Sequence, residues 1–245
     1  MNLLYSLLSF PFPERDIIVS KTNNIGFLPY FRVYGSFSFY PFRNSKDHAW
    51  NIRLGGDVVL FSNSSSNFGF FVNMEFISDP YSPIYFHPRA IYFSEGFYYI
   101  YNNLKISYIH RCKHDIDDFN RTLILSGPRF SYITENFEMF SDIYIFKFDE
   151  TNRNIERLLL HDIISSIGFI NYGRFNGIYY GANFKMDMFK KSIKFLYGLE
   201  LGYSFKGKAG ELKLFSNLEN FYDTGMNEYT SSNLLFRISI GSKSY

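Results

Sequence analysis

The chain has 245 residues, 21% of them aromatic (30 Phe, 21 Tyr and 1 Trp), yet its mean hydropathy is slightly negative at −0.14. A net charge of +2, from 25 basic and 23 acidic residues, provides no global field for nucleic acid. A single cysteine excludes an internal disulfide framework and a multi-cysteine zinc site, and no stretch approaches the roughly 18 apolar residues of a spanning helix.

The chain opens on MNLLYSLLSFPFP, which is uncharged and apolar and has the character of an export signal without its basic leader. Residues 1–26 are expected to be a signal remnant or a periplasmic extension, and 27–245 the folded domain. From there the dominant pattern has period two. Phe31, Val33, Gly35, Phe37 and Phe39 alternate with Arg32, Tyr34, Ser36 and Ser38. Trp50, Ile52, Leu54, Gly56, Val58 and Leu60 alternate with Asn51, Arg53, Gly55 and Asp57. The longest run carries Ile193, Phe195, Tyr197, Leu199, Leu201, Tyr203 and Phe205 on one face. That face stays apolar beyond the length of an ordinary soluble strand.

Twelve strands are predicted, near 28–41, 48–62, 67–77, 90–101, 104–112, 120–133, 138–149, 157–171, 176–187, 191–205, 210–221 and 233–245. Between them, connections such as Asn102-Asn103 and 206–209 are short, whereas 78–89, 113–119, 150–156 and 222–232 are longer and more polar. Short turns at one end and long loops at the other are the pattern of outer-membrane barrels. The fold class is therefore expected to be all-β: a single antiparallel transmembrane β-barrel of about 12 strands in the bacterial outer membrane. Only a closed barrel or a helix satisfies every backbone group in lipid. The polar set predicted to face the lumen comprises Arg32, Asn51, Arg53, Asp57, Asn73, Glu75, Asn183, Lys185, Lys194, Glu200, Lys213, Glu219 and Arg237. Its mixed signs suit a lumen closed by cross-strand ion pairs, not a wide pore.

Chemistry-bearing residues concentrate in the segment 106–121, ISYIHRCKHDIDDFNR, which strand parity places at the outer rim. His110 and Cys112, two apart on a strand, share a face. With Leu104, Ile106 and Tyr108 turned to lipid, that face is the lipid face, where His110 is placed to act as base toward a Cys112 nucleophile. Asp117 is the candidate orienting acid. His110, His114 and Asp117 are residue types that metals accept, but a strand-and-loop spacing fixes no coordination geometry. No metal or cofactor is assigned, and His114 is read as ligand-binding.

The segment 108–118, YIHRCKHDIDD, resembles the YHxSSHxGDE hallmark of an uncharacterised family of bacterial outer-membrane proteins, with His110, His114 and Asp117 at matching positions and Cys112 in place of a Ser. FPERD at 12–16, LGGD at 54–57 and YDTG at 222–225 extend the resemblance. His110-Arg111-Cys112 is also distantly similar to the His-x-Ser of barrel lipid A deacylases, which implies hydrolysis at the membrane-facing outer rim. Three readings stand: a structural or surface-exposed barrel without catalysis, an outer-leaflet lipid A acyl hydrolase-like enzyme using His110 and Cys112, and a narrow channel or transporter. The expected partners are outer-membrane lipid and, during insertion, the barrel-assembly machinery. No nucleic acid is expected, and the barrel is expected to be a monomer.

Overall fold

The computed structural model describes residues 25–41, 50–78, 90–115, 122–134, 136–149, 163–221 and 233–244. The N-terminal segment through residue 24 lies outside these, as do Asp117 and the segments 12–16 and 222–225. Among the described residues every element is a strand: β1 Gly26–Phe39, β2 Trp50–Ser62, β3 Ser66–Ser78, β4 Ala90–Tyr101, β5 Leu104–Asp115, β6 Thr122–Ile133, β7 Phe137–Ile143, β8 Phe146–Asp149, β9 Ile163–Phe175, β10 Ile178–Phe189, β11 Ile193–Lys206, β12 Gly210–Phe221 and β13 Asn233–Ser244.

Consecutive strands pair antiparallel, except that β7 pairs with β6 and β9 and β8 with β6, and β1 pairs with β13 from Tyr34↔Lys243 to Phe39↔Ile238. The sheet has no free first or last edge. Strands β7 and β8 lie end to end along β6, so thirteen strands form twelve staves. The stretch 138–149, expected as one strand, is thus two. The physical reason lies opposite the break, at Gly127-Pro128. Proline has no N–H for the ladder, and a Cβ built on Gly127 would stand 1.8 Å from the Ile143 carbonyl oxygen. The chain bulges there. Ile145 N–H donates to the Ser126 carbonyl at 2.9 Å and Tyr144 N–H to the Ile164 carbonyl at 3.1 Å. Tyr144 turns inward, while Ile145 and Phe146 face outward in succession, 70% and 51% exposed.

Tight connections gather at one end: 63–65, 102–103, 134–136, 176–177 and 207–209. Asn176 and Gly177 both have positive φ (49° and 83°), as a two-residue hairpin with the right twist requires. Connections at the opposite end are mostly longer, with 190–192 the short exception. The long-loop end is the outer one. Near the inner end Tyr99, Tyr101, Tyr132, Tyr180 and Tyr203 are exposed and form an interfacial girdle.

The distribution of side chains is inverted relative to a water-soluble protein. Among the described residues, of the seven bulkiest side chains under 2% exposed, Arg32, Arg111, Arg237, Lys113, Lys185 and Lys213 are cationic and only Phe140 is apolar. Directly opposed residues pair inside the barrel: Arg32 with Asp57 at 2.6 Å, Arg53 with Glu75 at 2.7 Å, and Arg129 with Asp142 at 2.7 Å. Lys185–Asp187, Lys213–Glu200 and Arg237–Glu219 continue the network. Outside, all seven apolar residues predicted on one face of β11 are exposed, from Ile193 to Phe205. Such a belt is stable against acyl chains and unstable in water.

Candidate functional site

The outer wall formed by β4, β5 and β6 departs from the apolar belt. On β5 the inward positions are Lys105, Ser107, Ile109, Arg111 and Lys113, all buried, and Leu104, Ile106 and Tyr108 face out. That parity puts His110, Cys112 and His114 on the outer face, as the sequence pattern requires. Register then arranges three cross-strand rows. Glu95 on β4, His110 on β5 and Ser126 on β6 make the first. Phe93, Cys112 and Ile124 make the second, and Ile91, His114 and Thr122 the third.

The first row holds the chemistry. His110 Nδ1 lies 2.8 Å from Ser126 Oγ. Ser126 is 2% exposed, so the serine hydroxyl acts as a fixed partner that sets the ring plane. The ring itself is half-buried and keeps access to the outer face. Glu95 flanks His110 on the other side, also half-buried. Among the described residues Glu95 is the only charged side chain at an outward strand position, and it forms no hydrogen bond or ion pair. A second His–hydroxyl pair, His114 Nδ1 with Thr122 Oγ1 at 3.1 Å, sits nearer the rim and is exposed.

Cys112 is on the predicted face but only 6% exposed, in register with Phe93 and Ile124. Among the described residues no hydrogen bond joins it to His110, whose bond goes to Ser126 instead. Asp117 lies outside the described residues. No three His, Cys, Asp or Glu side chains among those described are placed to hold a metal ion.

Apolar groups surround the polar row. Phe146 is in register with Ser126, and Phe148 with Ile124. Both are exposed on the outer face. The β7–β8 bulge creates this arrangement, since it returns Phe146 to the outer wall beside Ser126. Behind the wall, Asp142 accepts from Arg129 Nε and Nη2 at 2.7 and 2.9 Å and from Arg111 Nη2 at 3.4 Å. That buried cluster joins β5, β6 and β7 at the residues next to the row. Tyr144 and Ser166 hydroxyls, 2.8 Å apart, and the Ser166–Asp187 hydrogen bond carry it across to β9 and β10.

Sequence reasoning missed Ser126 and Glu95. Ser126 required the β5–β6 register, which sequence does not fix. Glu95 was within reach, because Ile91, Phe93, Glu95, Phe97, Tyr99 and Tyr101 share a parity in which one carboxylate stands among apolar and aromatic side chains.

No family model matches the chain, and no curated protein matches it. Solved structures do. A Salmonella typhi outer membrane phospholipase, a dimer with bound calcium, is similar at a TM-score of 0.51 and 9% identity, over 99% of this chain and 97% of that one. Outer membrane phospholipase A from Escherichia coli gives a TM-score of 0.50 at 10% identity, over 89% and 93% of the two chains. The KdgM porin in complex with a disordered oligogalacturonate gives 0.50 at 9%, over 87% and 98%. At these identities the likeness is one of fold. The closed wall, the apolar exterior and these neighbours together identify a bacterial outer-membrane β-barrel.

Proposed function

We propose that this barrel hydrolyses an acyl linkage of an outer-leaflet lipid at a site centred on His110. The observation that carries the reading is the His110–Ser126 hydrogen bond on the lipid-facing wall. With Nδ1 engaged by the serine hydroxyl, Nε2 is the nitrogen left to exchange protons with a substrate. An ionisable side chain turned toward lipid is costly, and a group of them in one row is a functional feature by default.

Within this reading Cys112 is the candidate nucleophile and Asp117 a candidate orienting acid. Exposed His114 is a ligand-binding group near the headgroups. The similarity of the segment 108–118 to the YHxSSHxGDE family and to the His-x-Ser of lipid A deacylases supports the same location, and two of the fold neighbours are phospholipases. The barrel is proposed to act as a monomer and to reach the membrane through the barrel-assembly machinery.

A structural role for the barrel is the second reading, favoured by the packed lumen. Arg111, Lys113, Lys185, Lys213 and Arg237 fill it at 1% exposure or less, which leaves the channel reading the least supported. The test is direct. Cells expressing the wild-type chain are expected to show outer-leaflet lipid lacking an acyl chain by mass spectrometry, and cells expressing His110→Ala at equal barrel levels are expected to show none. Identical lipid profiles from wild-type and vector-only cells would leave the structural reading.

A further inference from the structure

The energetics of Glu95 have no structural explanation elsewhere in the fold. A carboxylate on a lipid-facing strand position is unfavourable by a few kcal/mol, whereas lumen carboxylates such as Asp57, Glu75 and Asp142 are placed beside cations. Glu95 has no such partner among the described residues. Its neighbours in register are Val72 on one side and His110 on the other. Directly opposed residues on one face of an antiparallel pair have their Cβ atoms about 5 Å apart. The carboxylate and the imidazole therefore stand within reach of each other and of one small molecule between them. The row lies roughly 12 Å along the barrel axis below the end of β5, taking a rise of about 3.3 Å per residue and a tilt near 40°. Phe93, Phe97 and Phe146 flank it. That depth and lining suit the junction of acyl chain and headgroup.

Resting on the reading of His110 as a lipid-hydrolysing centre, we infer that Glu95 and His110 form an acid–base pair that directs water onto the carboxylic ester of an outer-leaflet lipid. Glu95 carboxylate takes a proton from water, and the water oxygen bonds to the acyl carbonyl carbon. The carbon–oxygen bond to the headgroup moiety then breaks, and the departing alkoxide takes the proton of His110 Nε2. Transfer of the proton from Glu95 to His110 restores both groups. Ser126 is a positioning residue that keeps Nδ1 occupied and Nε2 directed outward. This route takes water in place of the candidate nucleophile Cys112, which is buried in register with Phe93 and Ile124 and not bonded to His110.

The experiment uses the full-length barrel purified from outer membranes, in mixed micelles with lipid extracted from the same outer leaflet, and reads fatty acid release. Glu95→Gln is expected to lower kcat at least about a hundredfold with KM nearly unchanged. Leu199→Ala and Leu214→Ala, on the lipid face away from the row, are expected to remain within about threefold of wild type. The ring-nitrogen NMR signals of His110 should move in Glu95→Gln and stay in Leu199→Ala. An acyl group trapped on Cys112, or full activity in Glu95→Gln, would overturn the pair while the lipid-hydrolase reading stood. No fatty acid release by the wild type would remove both.

Discussion

Asp142→Ala is expected to destabilise the barrel by about 3–5 kcal/mol, because it removes the one carboxylate shared by two buried guanidiniums. Arg129 binds both Asp142 oxygens and Arg111 binds one of them, and all three side chains are almost fully excluded from solvent. Without the carboxylate, two positive charges remain together in a lumen they cannot leave. The damage is local as well as global, since Arg111 follows His110 on β5 and Asp142 precedes the β7–β8 bulge by two residues. Urea titration of the folded fraction in lipid vesicles measures the loss. Replacing Arg111, Arg129 and Asp142 together by Met, Met and Leu is expected to recover much of it, because an apolar set of similar volume leaves no unpaired charge. Equal stability of Asp142→Ala and wild type would mean that the cluster is hydrated and contributes nothing.

The second large effect concerns a residue that looks replaceable by ordinary surface criteria. Leu199 is 57% exposed at the middle of β11. On a water-soluble protein, Leu→Arg at such a position changes stability by about 0.5 kcal/mol or less. On the lipid face near the midplane the same change is expected to lower stability by about 2–4 kcal/mol, and progressively less toward the strand ends at Ile193 and Phe205. The same vesicle titration, run on Arg substitutions at Leu199 and Phe205, reads the depth dependence. A flat profile would contradict burial in a bilayer.

What sequence could and could not disclose follows from periodicity. Strand parity is local, so the outward set on β11 and the buried Arg32, Arg53, Lys185, Lys213 and Arg237 were legible from alternation alone. Parity also placed His110 on the same face as Leu104, Ile106 and Tyr108. Three features required long-range information. The break at Tyr144-Ile145 depends on Gly127 and Pro128, which belong to the neighbouring strand. The His110–Ser126 bond depends on the β5–β6 register. The burial of Cys112 depends on Phe93 and Ile124 from two different strands. The strand boundary at Ile178, two residues later than predicted, follows from the Asn176-Gly177 turn, a signal present in the sequence.

The site's chemistry presupposes a wall that meets acyl chains on one side and a filled polar lumen on the other. Nitroxide labels at Leu199 and Leu196, introduced as single cysteines in a Cys112→Ser background and reconstituted in bilayers, test this most directly. The Leu199 label should relax strongly with oxygen and weakly with a water-soluble nickel chelate, and the buried Leu196 label weakly with both. Strong relaxation of the Leu199 label by the nickel chelate would put that face in water and contradict the membrane barrel.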